Sequence, residues 1–516
     1  MATSARRPRI ERDTLGEVRV PADALYGAQT QRAVENFPVS GLRAHPVFIR
    51  SFVLLKKAAA LANHELGMKR RLAVAISDAC DEILGEGADS FSRITKRKKR
   101  ATRAGGRAAF RGAGEDDIRS VSYKIPSSYI NIKYRDQFVV DVFQAGAGTS
   151  FNMNCNEVIA NMANLRLGGR AGVYDPIHPN DHVNMSQSTN DTFPTAIRIA
   201  TLLLLRELFP ALDGLGFALD AKGEELAGVI KSGRTHLQDA VPVTLGQEFR
   251  AYAAAVRRST RLLEEAAGEL RELGIGGTAT GTGINTPPGY RFVVVDYLRL
   301  MTELDLVPVG DLREAMQSQL PLAAVSAALR NLALELTRIT NDLRLLASGP
   351  QTGLAEIILP AVQPGSSIMP GKVNPSMLEC MNQVAFHVIG ADTAVAYAVQ
   401  AGQLELNVMM PLMAWEILFS IDILKNYLPP FTSKCIEGIE ADTKRCENYY
   451  VTSPALATLL NPLIGYAKAA EIAKESARSG TPIPDLLRAR RILTDEEIER
   501  IFTPEFLAGE AGRPIR

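Results

Sequence analysis

"PLAAVSAALRNLALELTRITNDLRLLAS" runs from Pro321 to Ser348, and its apolar residues keep a single period. Leu322, Val325, Leu329, Leu332, Leu336, Ile339, Leu343 and Leu346 stand three or four positions apart, the spacing that lines one face of an α-helix. The stretch predicts one long helix. Upstream, "TLGQEFRAYAAAVRRSTRLLEEAAGELREL" (Thr244–Leu273) opens on Thr244-x-x-Gln247, a capping-box spelling, and continues with Leu245, Phe249, Tyr252, Ala253 and Val256 at helical spacing. Downstream, a third helix is expected from near Ser376 and a fourth from about Leu404 to Leu428. Long helices with few strands between them, from Phe193 to Leu428, read as a mainly α fold built on an elongated bundle. The broad alanine-containing faces predict contact between subunits, so an oligomer is expected.

Outside the bundle the patterns change. The N-terminal part is mixed at first and then helical from roughly Val47 to Leu84. The tail after about Asp442 reads as a smaller helical unit around "LNPLIGYAKAAEIAKES", which contains Pro462. The expected division is 1–188, 189–441 and 442–516. With 516 residues, 46% of them hydrophobic, the chain can bury a large core. A formal net charge of +1 selects neither nucleic acid nor an acidic partner. Cys80, Cys155, Cys380, Cys435 and Cys446 are scattered and odd in number, which fits a reducing compartment better than a disulfide framework. His178 and His182 have metal-like spacing, but Pro179 follows the first and no Glu lies between, so no metal is expected. The start "MATSARRPRIERDTLG" has no apolar h-region, and no run is long enough for a membrane span. A cytoplasmic location is expected.

One block breaks the pattern. "RITKRKKRATRAGGRAAFRGAG" (Arg93–Gly114) carries nine cations and no acid. Such a run cannot bury a core, and residues about 87–134 read as a solvated, disordered insert. The alternative is a nucleic-acid patch, although the interleaved aromatics that single-strand binding uses are missing. Nucleic acid is therefore not expected as a partner.

Four polar segments interrupt the helices: "GAGTSFNMN" (Gly146–Asn154), "HPNDHVNMSQSTND" (His178–Asp191), "GRTHLQDAVP" (Gly233–Pro242) and "GSSIMPGKVNP" (Gly365–Pro375). Singly, each is explained by caps and turns. Together, beside long helices, they mark a site. The last resembles a phosphate loop, but five residues separate Gly365 from Gly371 and Val373 follows Lys372, so the spacing fails. "GIGGTATGTG" (Gly274–Gly283) fails the dinucleotide fingerprint and reads as a mobile glycine turn. What "GSSIMPGKVNP" does offer is a flexible loop entering a helix. Asn374 can cap it, Pro375 suits the first position, and Lys372 lies where the helix already favours anions. A lysine there suits a carboxylate or an enolate-like oxyanion, and Ser366 or Ser367 could act as base if its alkoxide is stabilised.

At these residues the chain resembles the aspartase/fumarase superfamily, from "DTLGEVRVPADALYGAQTQRAVENFPVSG" to "NPLIGYAKAAEIAKES". "GSSIMPGKVNP" is similar to its signature loop, and the other three segments stand in the family's order. The resemblance implies a three-domain, mainly helical fold. Its long central helices would form a twenty-helix core in a homotetramer, with active sites built from several subunits. It also implies reversible anti-elimination that releases fumarate from a small dicarboxylate, with no cofactor required. Carried onto this sequence, Ser366 is the base and an aci-carboxylate the intermediate. Lys372 and Asn374 bind substrate carboxylate. Thr149, Ser188, Thr189, Asn190 and Thr235 complete the anion and amine pocket, and His236, paired with Glu379, orients substrate.

The leaving group is read from detail. "GAGTS", "SQSTND", "RTHLQDAVP" and "NQVAFHVIGAD" resemble members that eliminate ammonia from L-aspartate, whereas "YGAQTQRAVENFP" and "GGTATGTG" lean toward members that add water to fumarate. The expectation is ammonia elimination. The alternatives are the fumarate–malate reaction, or a lyase with added nucleic-acid binding through the basic insert. Two departures from the family stand out: the insert itself, and Met410 in "LNVMMP", where relatives often carry a charge.

Overall fold

A computed structural model describes residues 7–87, 90–103 and 132–507 of the chain. Helices α1 (Ala28–Asn36), α2 (Pro46–Glu65), α3 (Arg70–Leu84), α4 (Ser90–Arg103) and α5 (Thr149–Arg166) precede the long ones. Those are α6 (Thr189–Glu225), α7 (Leu245–Gly268), α10 (Leu320–Leu346), α11 (Ser376–Gln400) and α12 (Met410–Phe431), with the shorter α8 (Tyr290–Thr302) and α9 (Leu312–Gln317) among them. The tail adds α13 (Thr443–Thr452), α14 (Asn461–Ile464), α15 (Tyr466–Ser479), α16 (Ile483–Ala489), α17 (Asp495–Ile501) and α18 (Pro504–Leu507). Strands are few and form two-stranded pairs: β1 (Arg9–Asp13) with β2 (Gly16–Val20), β3 (Ile230–Thr235) with β4 (Gln238–Thr244), β5 (Glu272–Leu273) with β6 (Val307–Pro308), and β7 (Ile357–Ile358) with β8 (Glu440–Ala441). Among the described residues no helix is long and apolar enough to cross a membrane.

The Pro321–Ser348 stripe forms α10, and all eight of its named residues are buried. Each is worth about 1.5–3 kcal/mol relative to an exposed position. The capping box also forms: Gln247 N–H donates to Thr244 Oγ1 at 3.1 Å, and Thr244 N–H donates to Gln247 Oε1 at 3.1 Å. The helix expected from about Leu404 to Leu428 is α12, and it begins at Met410. Leu404 has φ +51°, and Asn407 sends its amide to the carbonyls of Ala398 and Val399 while its oxygen accepts from Met409 N–H. That asparagine turns the chain before the helix can start. Met410 itself is fully buried. An apolar side chain suits that place, since a charge there would need a partner.

The chain divides into two compact units. Unit 1 is drawn from Met1–Phe209, Leu262–Asn331 and His387–Ile423, and unit 2 from Pro210–Arg261, Leu332–Phe386 and Leu424–Arg516. In unit 1, α2 packs against α3 and α8, and α3 against α5. Phe48, Phe52, Phe151 and Phe193 meet edge-on or tilted, with ring centroids 4.9–6.5 Å apart. Every residue of α2 from Pro46 to Asn63 is buried, Lys56 and Lys57 included. Unit 2 packs the β3–β4 hairpin with α13 and with the 3-10 turn Pro454–Leu460. A second core there gathers Ile230, Leu456, Leu460, Ile472, Ile483 and Leu487.

The basic insert departs from expectation over its first part. Ser90–Arg103 is helix α4 rather than a solvated loop, and residues 104–131 lie outside the described residues. Two side chains account for the helix. Phe91 is buried, and so is Lys98, whose ammonium lies 4.4 Å from the Tyr297 ring centroid, 3.1 Å from Glu65 and 3.9 Å from Asp296. Long cationic stems cover apolar surface when the charge finds acids, which a count of like charges does not register. Arg93, Lys96, Lys99 and Arg100 remain exposed. Both described ends of the insert return to the end of α3. Ser90 Oγ donates to Asp81, Lys133 N–H donates to the Ile83 carbonyl at 3.0 Å, and Tyr134 O–H donates to Glu82 at 2.6 Å. Beyond this closure the Gln137 side chain accepts from Leu25 N–H, and its carbonyl accepts from Asn154. The path toward Thr149 is thus held independently of the insert, whose length adds little closure entropy.

Candidate active site

In unit 1 the segment carrying Thr149 turns sharply before α5. Ala147 N–H donates to the Val408 carbonyl at 2.8 Å, with Ala147 at φ +59° and Gly148 at φ +84°. A Cβ on Gly148 would lie 2.1 Å from the Phe193 ring. Only glycine meets both demands, and Thr149 is thereby placed, exposed, as the first residue of α5. Gly148→Ala is expected to destabilise the protein by about 2 kcal/mol or more, read as a lower denaturant midpoint.

The SQSTND segment is held from two sides. Asp191, buried, accepts from Ser188 N–H at 2.9 Å, Gly276 N–H at 3.0 Å and Thr278 N–H at 2.9 Å. Burial pushes its carboxyl up to about 7, against the pull of these donors. Asn190 donates to the Ala279 carbonyl at 2.8 Å. The Gly274–Gly283 turn is therefore pinned by a carboxylate and an amide, not the mobile turn its glycines suggested. Gly276 and Gly281 answer close approaches and positive φ instead. Ser188 Oγ accepts from Asn190 N–H, which starts α6. Thr189 Oγ1 accepts from Asn152 Nδ2 at 2.9 Å. Asn152 lies on the first turn of α5, so Thr149, Ser188, Thr189 and Asn190 share one frame.

Below that frame sits Lys56, with no exposed surface. Its ammonium donates to Asn152 Oδ1 at 2.7 Å, Asn184 Oδ1 at 3.0 Å and Gln187 Oε1 at 3.0 Å. All three acceptors are neutral amides. Burial pushes the ammonium down to about 8, opposed by the nearby Cys155 and Asp191.

In unit 2 the hairpin turn carries Thr235 and His236, both exposed. His236 and Leu237 sit at φ +56° and +57°, a left-handed pair that Asn-Gly would adopt with less strain. Beneath it lies a charged cluster. Glu356, fully buried, accepts from Arg234 at 2.9 Å and pairs with Lys231 at 3.1 Å, while Lys231 also reaches Glu248 at 2.8 Å. Glu356 directly precedes β7 and leads toward the loop that holds Ser366.

That loop closes on itself. Gly365 N–H donates to the Lys372 carbonyl at 2.9 Å, and the Asn374 amide donates to the Gly365 carbonyl. The asparagine thus ties the two ends of the loop instead of capping α11. Ser366 Oγ, half-buried, accepts from Met369 N–H at 2.9 Å and Ile368 N–H at 3.2 Å. The same contacts would form in any serine turn, but they favour the alkoxide over the alcohol. Val362, Gly365, Ser366, Met369 and Lys372 line an open concavity of about 460 Å³. Lys372 is exposed, and Glu379 lies in the first turn of α11. Among the described residues no hydrogen bond or ion pair joins His236 to Glu379 within one chain.

Lys56, Asn152 and Asp191 were not picked out as functional from the sequence. Of the three, only Lys56 had a legible signal, in "FVLLKKAAALAN", where two lysines interrupt a helix that is otherwise apolar on every face.

A family model described as "Lyase" matches residues 16–108 and 115–390, and one described as "Fumarase C C-terminus" matches residues 456–509. The aspartate ammonia-lyase of Bacillus subtilis (strain 168) is 44% identical over 100% of this chain and 99% of its own. That of Escherichia coli (strain K12) is 42% identical over 98% of each. Among solved structures, a fumarate lyase:delta crystallin from Brucella melitensis superposes with a TM-score of 0.85 at 43% identity, covering 97% of this chain and 99% of that one. The class II fumarase of Schistosoma mansoni gives a TM-score of 0.84 at 31% identity, with the same two coverages.

Proposed function

The chain belongs to the aspartase/fumarase superfamily of lyases, and we propose that it eliminates ammonia reversibly from L-aspartate to give fumarate, the reaction of an aspartate ammonia-lyase. The observation that carries this is identity above 40% with aspartate ammonia-lyases along the whole chain, set against 31% for the class II fumarase.

The chemistry follows from the residues. The proton beside a carboxylate is weakly acidic, so charge must be stabilised where it develops. Ser366, as alkoxide, takes that proton from the carbon, and the electron pair moves into the carboxylate to form the aci-carboxylate. That pair then forms the double bond as the carbon–nitrogen bond breaks, and its electrons leave with ammonia. Lys372 and Asn374 hold the substrate carboxylate. Thr149, Ser188, Thr189, Asn190 and Thr235 supply hydroxyl and amide contacts, and His236 with Glu379 orients the substrate.

The His236–Glu379 pair forms between copies of the chain in a homotetramer with composite sites. Exposed apolar side chains at Phe217, Phe386 and Tyr397 support such an assembly. Within it we retain the three-domain division at 188/189 and 441/442. Five free cysteines, four of them buried, support a cytoplasmic setting.

Purified protein given L-aspartate should release fumarate, followed by its ultraviolet absorbance, and L-malate should give none. Fumarate from malate alone would overturn the assignment.

A further inference from the structure

We propose that Lys56 is a positioning residue for this reaction: acting through Asn152, its ammonium fixes the Thr189 hydroxyl as a hydrogen-bond donor toward the substrate's carboxylate. The inference rests on the reading of Thr189 as a substrate contact.

The direction of each bond follows from donor inventory. A lysine ammonium can only donate. Its 2.7 Å contact therefore fixes the Asn152 oxygen on the lysine side and turns the Asn152 NH₂ toward Thr189. That NH₂ occupies the acceptor side of Thr189 Oγ1, 2.9 Å away. The hydroxyl's own proton is then left to point elsewhere. Thr189 opens α6, beside Ser188 and Asn190, so an anion there meets a donor already aligned rather than a rotor that must choose.

A structural role alone accounts poorly for the choice of residue. Lys57, next in sequence and equally buried, is neutralised directly by Asp81 and by Glu86. Among the described residues the Lys56 ammonium meets three amide oxygens and the face of Phe52, whose ring centroid is 5.4 Å away, and no carboxylate. A buried cation without a carboxylate in contact is costly. Here the cation sits at the root of the shortest chain of polar contacts described between α2 and the hydroxyl of Thr189, through Asn152 alone. Asn184, accepting from Lys56, Asn152 and Asn156, locks the same orientation from the other side.

Asn152→Asp supplies the sharpest test. The carboxylate is nearly isosteric and gives Lys56 a counter-ion, so a purely structural Lys56 predicts unchanged or improved folding and kinetics. The relay predicts otherwise, because both oxygens now accept and Thr189 must turn its proton inward. The expected result is a 10- to 100-fold rise in KM for L-aspartate with no fall in Tm. Lys56→Met should raise KM by a similar factor. In Thr189→Ala, which lacks the hydroxyl, either second change should add less than about twofold, since both act through it. That control also separates the relay from simple repulsion by a new negative charge, which would persist without the hydroxyl. Wild-type KM in Asn152→Asp, or fully additive losses in the Thr189→Ala background, would overturn the proposal. Should Asn152→Asp not fold, the Lys56→Met comparison in the two backgrounds decides alone. Wild-type protein inactive on L-aspartate would instead sink the functional reading beneath it.

Discussion

Ser366→Ala is expected to lower kcat for fumarate formation by about 10³-fold and leave Tm essentially unchanged. The two halves of that result have different causes. The rate falls because the hydroxyl is the proposed proton acceptor, and its alkoxide is favoured by the two N–H groups that donate to it. A thousandfold corresponds to about 4 kcal/mol of transition-state stabilisation, within the range of general base catalysis. Stability holds because the loop is exposed: Ile368 is 83% and Met369 47% accessible, so water can take over the N–H groups that alanine leaves free. A stranded donor is expensive only when buried. The measurement pairs single-turnover and steady-state kinetics with thermal unfolding. Near-normal turnover would place the base elsewhere, whereas a large drop in Tm would assign Ser366 a structural task.

The same contrast between exposed and buried polar groups explains what the sequence disclosed. Periodicity reported burial faithfully where burial is apolar: the α10 stripe is buried at all eight positions, and the Thr244–Gln247 cap formed as spelled. Composition misled where a polar group is buried with a partner far along the chain. Lys98 looked like one more solvated cation, yet its partners Glu65, Asp296 and Tyr297 come from α2 and α8. The Gly274–Gly283 turn looked mobile because the carboxylate that pins it, Asp191, lies more than eighty residues upstream. The site shows the same divide. Its four segments were legible as polar interruptions, and the family resemblance assigned them roles. The groups that orient them are Lys56 under Thr189 and Glu356 under the His236 turn. They belong to long-range networks that local spacing does not encode.

Glu356→Ala is expected to destabilise unit 2 by about 3–5 kcal/mol, far more than Ser366→Ala. Glu356 is fully buried, and its carboxylate faces Arg234 at 2.9 Å and Lys231 at 3.1 Å. Removing it leaves Lys231, itself 2% exposed, with Glu248 as its one acid among the described residues, and strips Arg234 of its carboxylate while the Tyr449 ring 5.4 Å away offers weaker compensation. Intact, the cluster sets two cations against two carboxylates. Broken, it buries an excess positive charge, and a buried charge without its partner costs more than the pair contributed. Glu356 also joins β3, which carries Thr235 and leads into the His236 turn, to the chain that leads into the Ser366 loop, so the damage should reach the site from both ends. The denaturant midpoint should fall sharply, and residual folded protein should show impaired kcat/KM. Glu356→Gln keeps the shape and one acceptor oxygen, so it should recover part of the stability but less than the full loss, because the charge is what the two cations require. If Glu356→Gln matched wild type in stability, the cluster would be held by packing and hydrogen bonds alone, and the electrostatic account of this buried support would fail.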